Sequence, residues 1–366
     1  METSRRLNFS SGPAVLPEEV LRNAQAALWD LDGSGVGILE HSHRGKEFLR
    51  VLERTERLVR EVGGIDDSYA VLFVTAGATH HFAMVPGSFL ASGSAPGLAA
   101  GDTADYCHTG VWSAKAIDEA RRCGTVHVAC TGEPGFTATP TTFQWSAAPR
   151  YVHYTSNETI YGTQWRAAPP APAPLVCDAS SDIFSRPLVL ANHAMIYAGA
   201  QKNLGPSGIS LVIARRDFIE RGRTDLPPLA QYRTYAKEQS MHNTPNTFGV
   251  YIIGEVCAWI LTQGGLPAIA ERNTRKAKVL YDFLDGSKAW RGHAEPGSRS
   301  QMNVTFRGTT KELEETMLAR AEQRGLTNLR GHRSVGGLRA SIYNAFPEDG
   351  VHRLVQLLDD VERGRP

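Results

Sequence analysis

The 366-residue chain is poor in cysteine, with five in all and no C-x-x-C pair. Cys107, Cys123, Cys130, Cys177 and Cys257 are an odd, widely spaced set. That suits free thiols in a reducing compartment and excludes a disulfide frame or a cysteine zinc site. An excess of one charge is missing as well: 39 Lys and Arg face 38 Asp and Glu, for a formal net charge of +1. A nucleic-acid surface needs clustered cations to neutralise phosphates, so no nucleic-acid partner is expected. No apolar run approaches the ~20 residues that span a bilayer, and the first residues lack the apolar stretch of a signal peptide. The expectation is a soluble cytoplasmic protein with no membrane partner. The 12 histidines include His41-Ser42-His43 and His80-His81 but offer no third ligand at a helical or hairpin spacing, so no metal is expected. Internal repeats and low-complexity tails are also absent.

What remains is a chain that is 42% apolar, with length for two domains or one large α/β domain. Val20, Leu21, Ala24, Leu28 and Leu31 fall at helical spacing behind Pro17. Phe48, Val51, Leu52, Thr55, Leu58, Val59 and Val62 repeat that period until Gly63-Gly64. Short apolar strands are predicted at 70–74, 104–107, 126–130, 151–155, 175–178, 194–198 and 209–214. Strands that are apolar throughout suit a mostly parallel sheet covered on both faces. After long helices over 247–262 and on to about 284, the last hundred residues alternate strands (302–306, 338–342) and helices (311–324, 351–363), a small α+β unit. Two segments, 93–101 and the proline-rich 167–174, read as surface loops.

Three segments carry chemistry. In the first, a buried-type strand over 195–198 runs into Gly199-Ala200-Gln201-Lys202-Asn203, a lysine among small residues at a sheet end. A lysine there is placed either for a lowered pKa and a Schiff base or as an ordinary surface cation in a turn. The second is Leu175-Val176-Cys177-Asp178, an apolar strand ending in a carboxylate. Such an acid needs a partner: a protonated pyridine nitrogen, or the following turn at Ser180 and Ser181. The third, Thr75-Ala76-Gly77-Ala78-Thr79-His80-His81-Phe82, opens a helix with small residues and leaves backbone amides for a phosphate. Together the three describe a site for pyridoxal phosphate.

Longer blocks extend this reading. They are Asn8-Phe9-Ser10-Ser11-Gly12-Pro13, Ser42-His43-Arg44-Gly45-Lys46-Glu47-Phe48, Asn157-Glu158-Thr159-Ile160, Ala198 to Asn203, Asn243-Thr244-Pro245, and Gly331-His332-Arg333 followed by Gly336 to Ala345. In these blocks, and in their order, the chain resembles the phosphoserine aminotransferase family, class V aminotransferases of fold type I. The resemblance implies an α/β fold with a seven-stranded, mostly parallel sheet in a large domain (17–262), a small α+β domain (263–366) and an N-terminal segment (1–16) beside the small domain. It implies pyridoxal 5'-phosphate bound through Lys202, with Asp178 on the pyridine nitrogen, Trp112 on the ring face, Thr159 on the phenolic oxygen, and Ala78, Thr79 and Gln201 at the phosphate. Without the resemblance, Trp112 reads equally as a core aromatic.

Asn243 and Thr244 would reach the phosphate from a second subunit, which implies a homodimer with shared sites. Arg339 would hold the substrate α-carboxylate, while His43, Arg44, His332 and Arg333 would hold a phosphate or side-chain carboxylate. The implied reaction moves an amino group between glutamate and 3-phosphohydroxypyruvate. The departures are His80 and His81 in the phosphate loop and Tyr161 after the Asn-Glu-Thr-Ile block. The histidines either begin the helix with local hydrogen bonds or reshape the pocket, and a reshaped pocket would fit elimination or replacement chemistry on another amino acid. A cofactor-free binding module is the remaining alternative, against which Lys202, Asp178 and Arg339 all stand.

Overall fold

A computed structural model describes residues 5–90 and 103–365. The loop expected at 93–101 lies outside the described residues. The first half of the chain gives β1 (Leu7–Asn8), α1 (Glu18–Trp29), α2 (Lys46–Gly63), β2 (Tyr69–Val74), α3 (Ala78–Phe89), β3 (Thr103–His108), α4 (Val111–Arg121), β4 (Thr125–Thr131), β5 (Val152–Thr155), β6 (Asn157–Glu158), β7 (Thr163–Gln164) and β8 (Leu175–Asp178). The second half adds β9 (His193–Gly199), β10 (Ser210–Arg215), α5 (Arg216–Glu220), α6 (Tyr232–Lys237), α7 (Thr247–Thr262), α8 (Gly265–Gly286), β11 (Trp290–Gly292), β12 (Asn303–Gly308), α9 (Lys311–Gln323), β13 (Leu326–Thr327), β14 (Leu338–Ser341) and α10 (Glu348–Glu362).

Seven strands form one sheet in the order β2-β10-β9-β8-β5-β3-β4. Only β10 runs against its neighbours, so the sheet is mostly parallel as expected. Its strands read as apolar throughout because both faces are covered. Along β2, Val71 and Phe73 enter the core built with α1, α2 and α7, while Ala70, Leu72 and Val74 enter the core built with α3 to α6. A strand turns alternate side chains to opposite faces, so two apolar faces require an uninterrupted apolar run. Each fully buried Leu, Phe or Val there adds about 1.5 to 3 kcal/mol of transfer free energy.

The face of α2 is the predicted one: Phe48, Val51, Leu52, Thr55, Leu58, Val59 and Val62 are all buried. In α1 the pattern shifts. Val20, Ala24 and Ala27 are buried, and Leu31 is buried just beyond the helix, whereas Leu28 is 43% exposed. The expected helical face through Leu28 is therefore corrected to one through Ala27.

A third core gathers Phe9 with Leu280, Phe306, Leu338, Leu354 and Leu358 around the three-stranded sheet β11-β12-β14. The N-terminal strand belongs to this part of the molecule: β1 pairs in parallel with β13, Leu7 opposite Leu326 and Asn8 opposite Thr327. No single helix among the described residues is long and apolar enough to cross a membrane.

Candidate active site

The carboxyl ends of the parallel strands face a cavity of about 200 Å³. This is the edge at which open α/β sheets bind ligands. β5 delivers Thr155, β8 delivers Asp178, and the turn after β9 delivers Gln201 and Lys202. The first residues of α3, Ala78 and Thr79, and Trp112 near the start of α4 close one side. Ser11 and Gly12, following β1, and His332 and Arg339 from the C-terminal part close the other.

Lys202 is 9% exposed, and its Nζ donates to Thr159 Oγ1 at 2.7 Å. The same Nζ lies 5.6 Å from the centre of the Trp112 ring. Burial lowers the amine's pKa, and the negative field of Asp178 opposes the shift. An amine with weakened proton affinity is the form that condenses with a carbonyl. Asp178 is also buried; its Oδ1 accepts from Ser180 N at 3.0 Å and from Ser180 Oγ at 2.6 Å. The acid thus makes the turn contact at Ser180 that the sequence offered, and it also lines the cavity. Burial raises its pKa against the two Ser180 hydrogen bonds and the field of Lys202, and a further cation in the cavity would oppose that rise.

α3 begins at the cavity without a side-chain cap and without an acid in its first turn. Its leading amides are left to an anion. Gln201 follows the close approach of Gly199, where a Cβ would stand 3.3 Å from Ala78 N. Buried polar atoms around the cavity also lack partners among the described residues: Trp112 Nε1, Thr155 Oγ1, Gln201 Oε1 and Arg339 Nε. Unsatisfied buried groups are uncommon, and these four sit on residues that line one small space, while others lie elsewhere in the fold.

Arg339 Nη2 donates to Ser11 Oγ at 2.7 Å, which aims the guanidinium across the cavity mouth. His332 Nδ1 is 2.7 Å from Ser334 Oγ; burial and the nearby Arg339 and Arg333 lower its pKa. Arg333 is exposed and outside the lining. Four further residues assigned by resemblance, His43, Arg44, Asn243 and Thr244, are not brought to this cavity by the single chain. His43 and Arg44 lie together just before α2, with Arg44 Nε 3.4 Å from His43 Nε2. Asn243 and Thr244 are exposed before α7.

The unusual histidines stand apart from the cavity. His81 is completely buried, with Nδ1 2.8 Å from Tyr232 Oη and Nε2 2.7 Å from Ser210 Oγ. Burial pushes its pKa down to about 3, so it is a neutral strut between α3, β10 and α6. Its partners are distant in sequence, which corrects the expectation of purely local hydrogen bonds. His80 is exposed and outside the lining. Tyr161 packs at a tilt against Phe136, ring centres 4.8 Å apart, with the His293 ring centre 5.7 Å away. Sequence reasoning missed Ser11 as a partner of Arg339, although Ser11 sits inside one of the quoted blocks, whereas Ser180 on Asp178 is a partner that the sequence had offered.

A buried amine, a buried acid, an aromatic face and an uncapped helix start fit an aldehyde-bearing, phosphorylated pyridine. Comparison with known proteins agrees: the family description "Aminotransferase class-V" matches residues 6–354. The chain belongs to the class-V aminotransferases. This class-V aminotransferase is 48% identical over 356 residues to a phosphoserine aminotransferase of Herpetosiphon aurantiacus, covering 96% of this chain and 97% of that one. It is 46% identical to the Nitrosomonas europaea phosphoserine aminotransferase, covering 97% and 98%. Among solved structures, the phosphoserine aminotransferase of Bacillus circulans subsp. alkalophilus superposes with a TM-score of 0.94 at 43% identity over the whole of both chains. A PLP-bound phosphoserine aminotransferase of Trichomonas vaginalis superposes at 0.90, with 35% identity and coverage of 97% and 100%.

Proposed function

We propose that this class-V aminotransferase reversibly converts glutamate and 3-phosphohydroxypyruvate into 2-oxoglutarate and phosphoserine, using pyridoxal 5'-phosphate. The observation that carries this reading is Lys202: a buried amine with a weakened proton affinity, hydrogen-bonded to Thr159, in a cavity shared with Asp178 and Trp112. When bound, the cofactor supplies an electron sink for electrons released at the substrate Cα. Asp178 would hold the pyridine nitrogen protonated and Thr159 the phenolic oxygen, with Trp112 against the ring face. Ala78, Thr79 and Gln201 would receive the phosphate.

With the cofactor bound, the Lys202 amine would be the base that takes the substrate Cα proton and the acid that gives it back. Arg339, fixed by Ser11, grips the α-carboxylate as a forked donor. His332 and Arg333 would receive the phosphate of phosphoserine or the side-chain carboxylate of glutamate.

The remaining ligands motivate a homodimer. Asn243 and Thr244 would complete the phosphate site of a second copy, and His43 and Arg44 its substrate pocket. The segment that carries His43 and Arg44 also exposes Leu28 (43%), Trp29 (84%) and Leu39 (62%). Exposed apolar side chains gathered in one stretch mark an interaction surface. We further propose the division into an N-terminal segment 1–16, a cofactor domain 17–262 and a small domain 263–366, and a cytoplasmic location.

The test is a half-reaction. Adding glutamate to the pure holoenzyme should remove the visible absorbance of the lysine-bound cofactor, and 3-phosphohydroxypyruvate should restore it. Lys202→Ala should abolish the starting absorbance and lower turnover at least about a hundredfold. Visible absorbance that glutamate leaves unchanged would sink transamination in favour of another reaction at the same site.

A further inference from the structure

One buried acid beside the cavity has no part in the chemistry assigned above. Glu158, at the end of β6, is 1% exposed and does not line the cavity. Its Oε2 accepts from the backbone N–H of Trp112 at 3.2 Å, and its Oε1 accepts from the backbone N–H of Ile160 at 3.3 Å. Trp112 is the second residue of α4, so the first bond places a carboxyl on the opening turn of a helix, where unpaired amides favour an anion. The second bond closes the turn that carries Thr159. Gly110 admits this arrangement: its φ is +153°, and a Cβ there would stand 2.6 to 2.7 Å from Glu158 Cγ, Cδ and Oε2. Trp112 and Thr159, which flank the Lys202 amine, are therefore tied together through a single carboxyl group.

We propose that Glu158 is a positioning residue that sets the width of the cofactor slot, holding the helix end that carries Trp112 against the turn that carries Thr159. The inference rests on the reading of Trp112 and Thr159 as the groups against the cofactor ring and its phenolic oxygen. The charged and titratable groups that face Glu158 are Lys202 and Asp178 in the cavity, Arg339 across it and Tyr161 on the following turn. Burial pushes the Glu158 pKa up to about 8, against the pull of the two amide donors and of Lys202. Below that pH the group is a neutral acid. Above it, the anion grips both amides more firmly and raises the proton affinity of the Lys202 amine. The slot and the amine thus respond together to one proton.

Glu158→Gln keeps the shape but removes both the ionisation and one acceptor. In the holoenzyme, kcat should fall about ten- to a hundredfold while KM for glutamate stays within about threefold, the pattern of misplaced reacting groups. Cofactor content should match the wild type, and Tm should stay within about 3 °C. The pH midpoint of the bound cofactor's absorbance should move by at least about half a unit, a readout that a purely structural role would leave in place.

Gly110→Ala, which pushes the carboxyl out from the other side, should shift kcat and the midpoint in the same directions. The double variant should be no worse than the poorer single one. Wild-type kcat with an unmoved midpoint in Glu158→Gln overturns the inference, as does a kcat that falls only in step with Tm or cofactor content. A wild-type protein that takes up no pyridoxal phosphate overturns the functional reading itself. Uptake by the wild type with an unaltered Glu158→Gln overturns this inference alone.

Discussion

Lys276 shows how much a single polar atom organises around this site. It is fully buried on α8, and its Nζ donates to the carbonyls of Ile342 (2.9 Å), Tyr343 (2.6 Å) and Phe346 (3.2 Å). Burial pulls its pKa far down, yet three carbonyl acceptors match the three hydrogens of an ammonium. The turn it holds directly follows β14, which carries Arg339, and Tyr343 Oη in turn donates to Ser11 O at 2.8 Å. Lys276→Met should strand three buried carbonyls and lower stability by about 2 to 4 kcal/mol, read as an earlier urea midpoint. An unchanged midpoint would show that the ammonium contributes nothing net. Neither Lys276 nor Glu158 announces such a role in the sequence. Their partners are backbone atoms 66 to 70 and 46 positions away for the bonds that cross the fold, and backbone atoms have no letter code. Lys202 and Asp178 stood out in the sequence because one closely follows and the other ends an apolar strand, where a charge is conspicuous.

Between elements, the crossing of α2 and α7 is set by a missing side chain. Thr55 Oγ1 donates to Val250 O at 3.2 Å, and a Cβ on Gly254 would lie 2.4 Å from that oxygen. Gly254→Ala should push the helices apart and destabilise the protein by about 1 to 3 kcal/mol, despite alanine's better helix propensity. A melting temperature equal to or above the wild type would refute this. The helices themselves were readable wherever one face meets one partner: α2 keeps a strict period because its whole inner side is buried. α1 misled at Leu28 because apolar residues at helical spacing outnumber those the inner face buries, and the burial falls on Ala27 instead. The sheet was readable as mostly parallel from its uninterrupted apolar strands, but β10 running the other way left no mark, since a strand covered on both faces reads alike in either direction.

For the molecule as a whole, the cavity of one chain holds the reacting groups but only part of the proposed anion ligands. His43, Arg44, Asn243 and Thr244 do not line the cavity of one chain, and sequence spacing carries no sign of a second copy that would use them, as proposed above. Mixing Lys202→Ala chains with Arg44→Ala chains should regenerate one intact site in each mixed dimer. At low phosphoserine, activity should return to about a quarter of the wild type after equal mixing and exchange of subunits. No recovery would mean that Arg44 serves the site of its own chain.

The pairing of β1 with β13 has a consequence in time as well as in space. Residues 7–12 are made long before the strand and side chains that fix them, Leu326, Thr327, Arg339 and Tyr343. Until then Ser11 has no arginine to aim and Gly12 no settled place against Lys202. Before Arg339 is made, the chain lacks the guanidinium proposed to hold the substrate carboxylate. Assembly of the site thereby waits on a part of the sequence far removed from the serine it fixes.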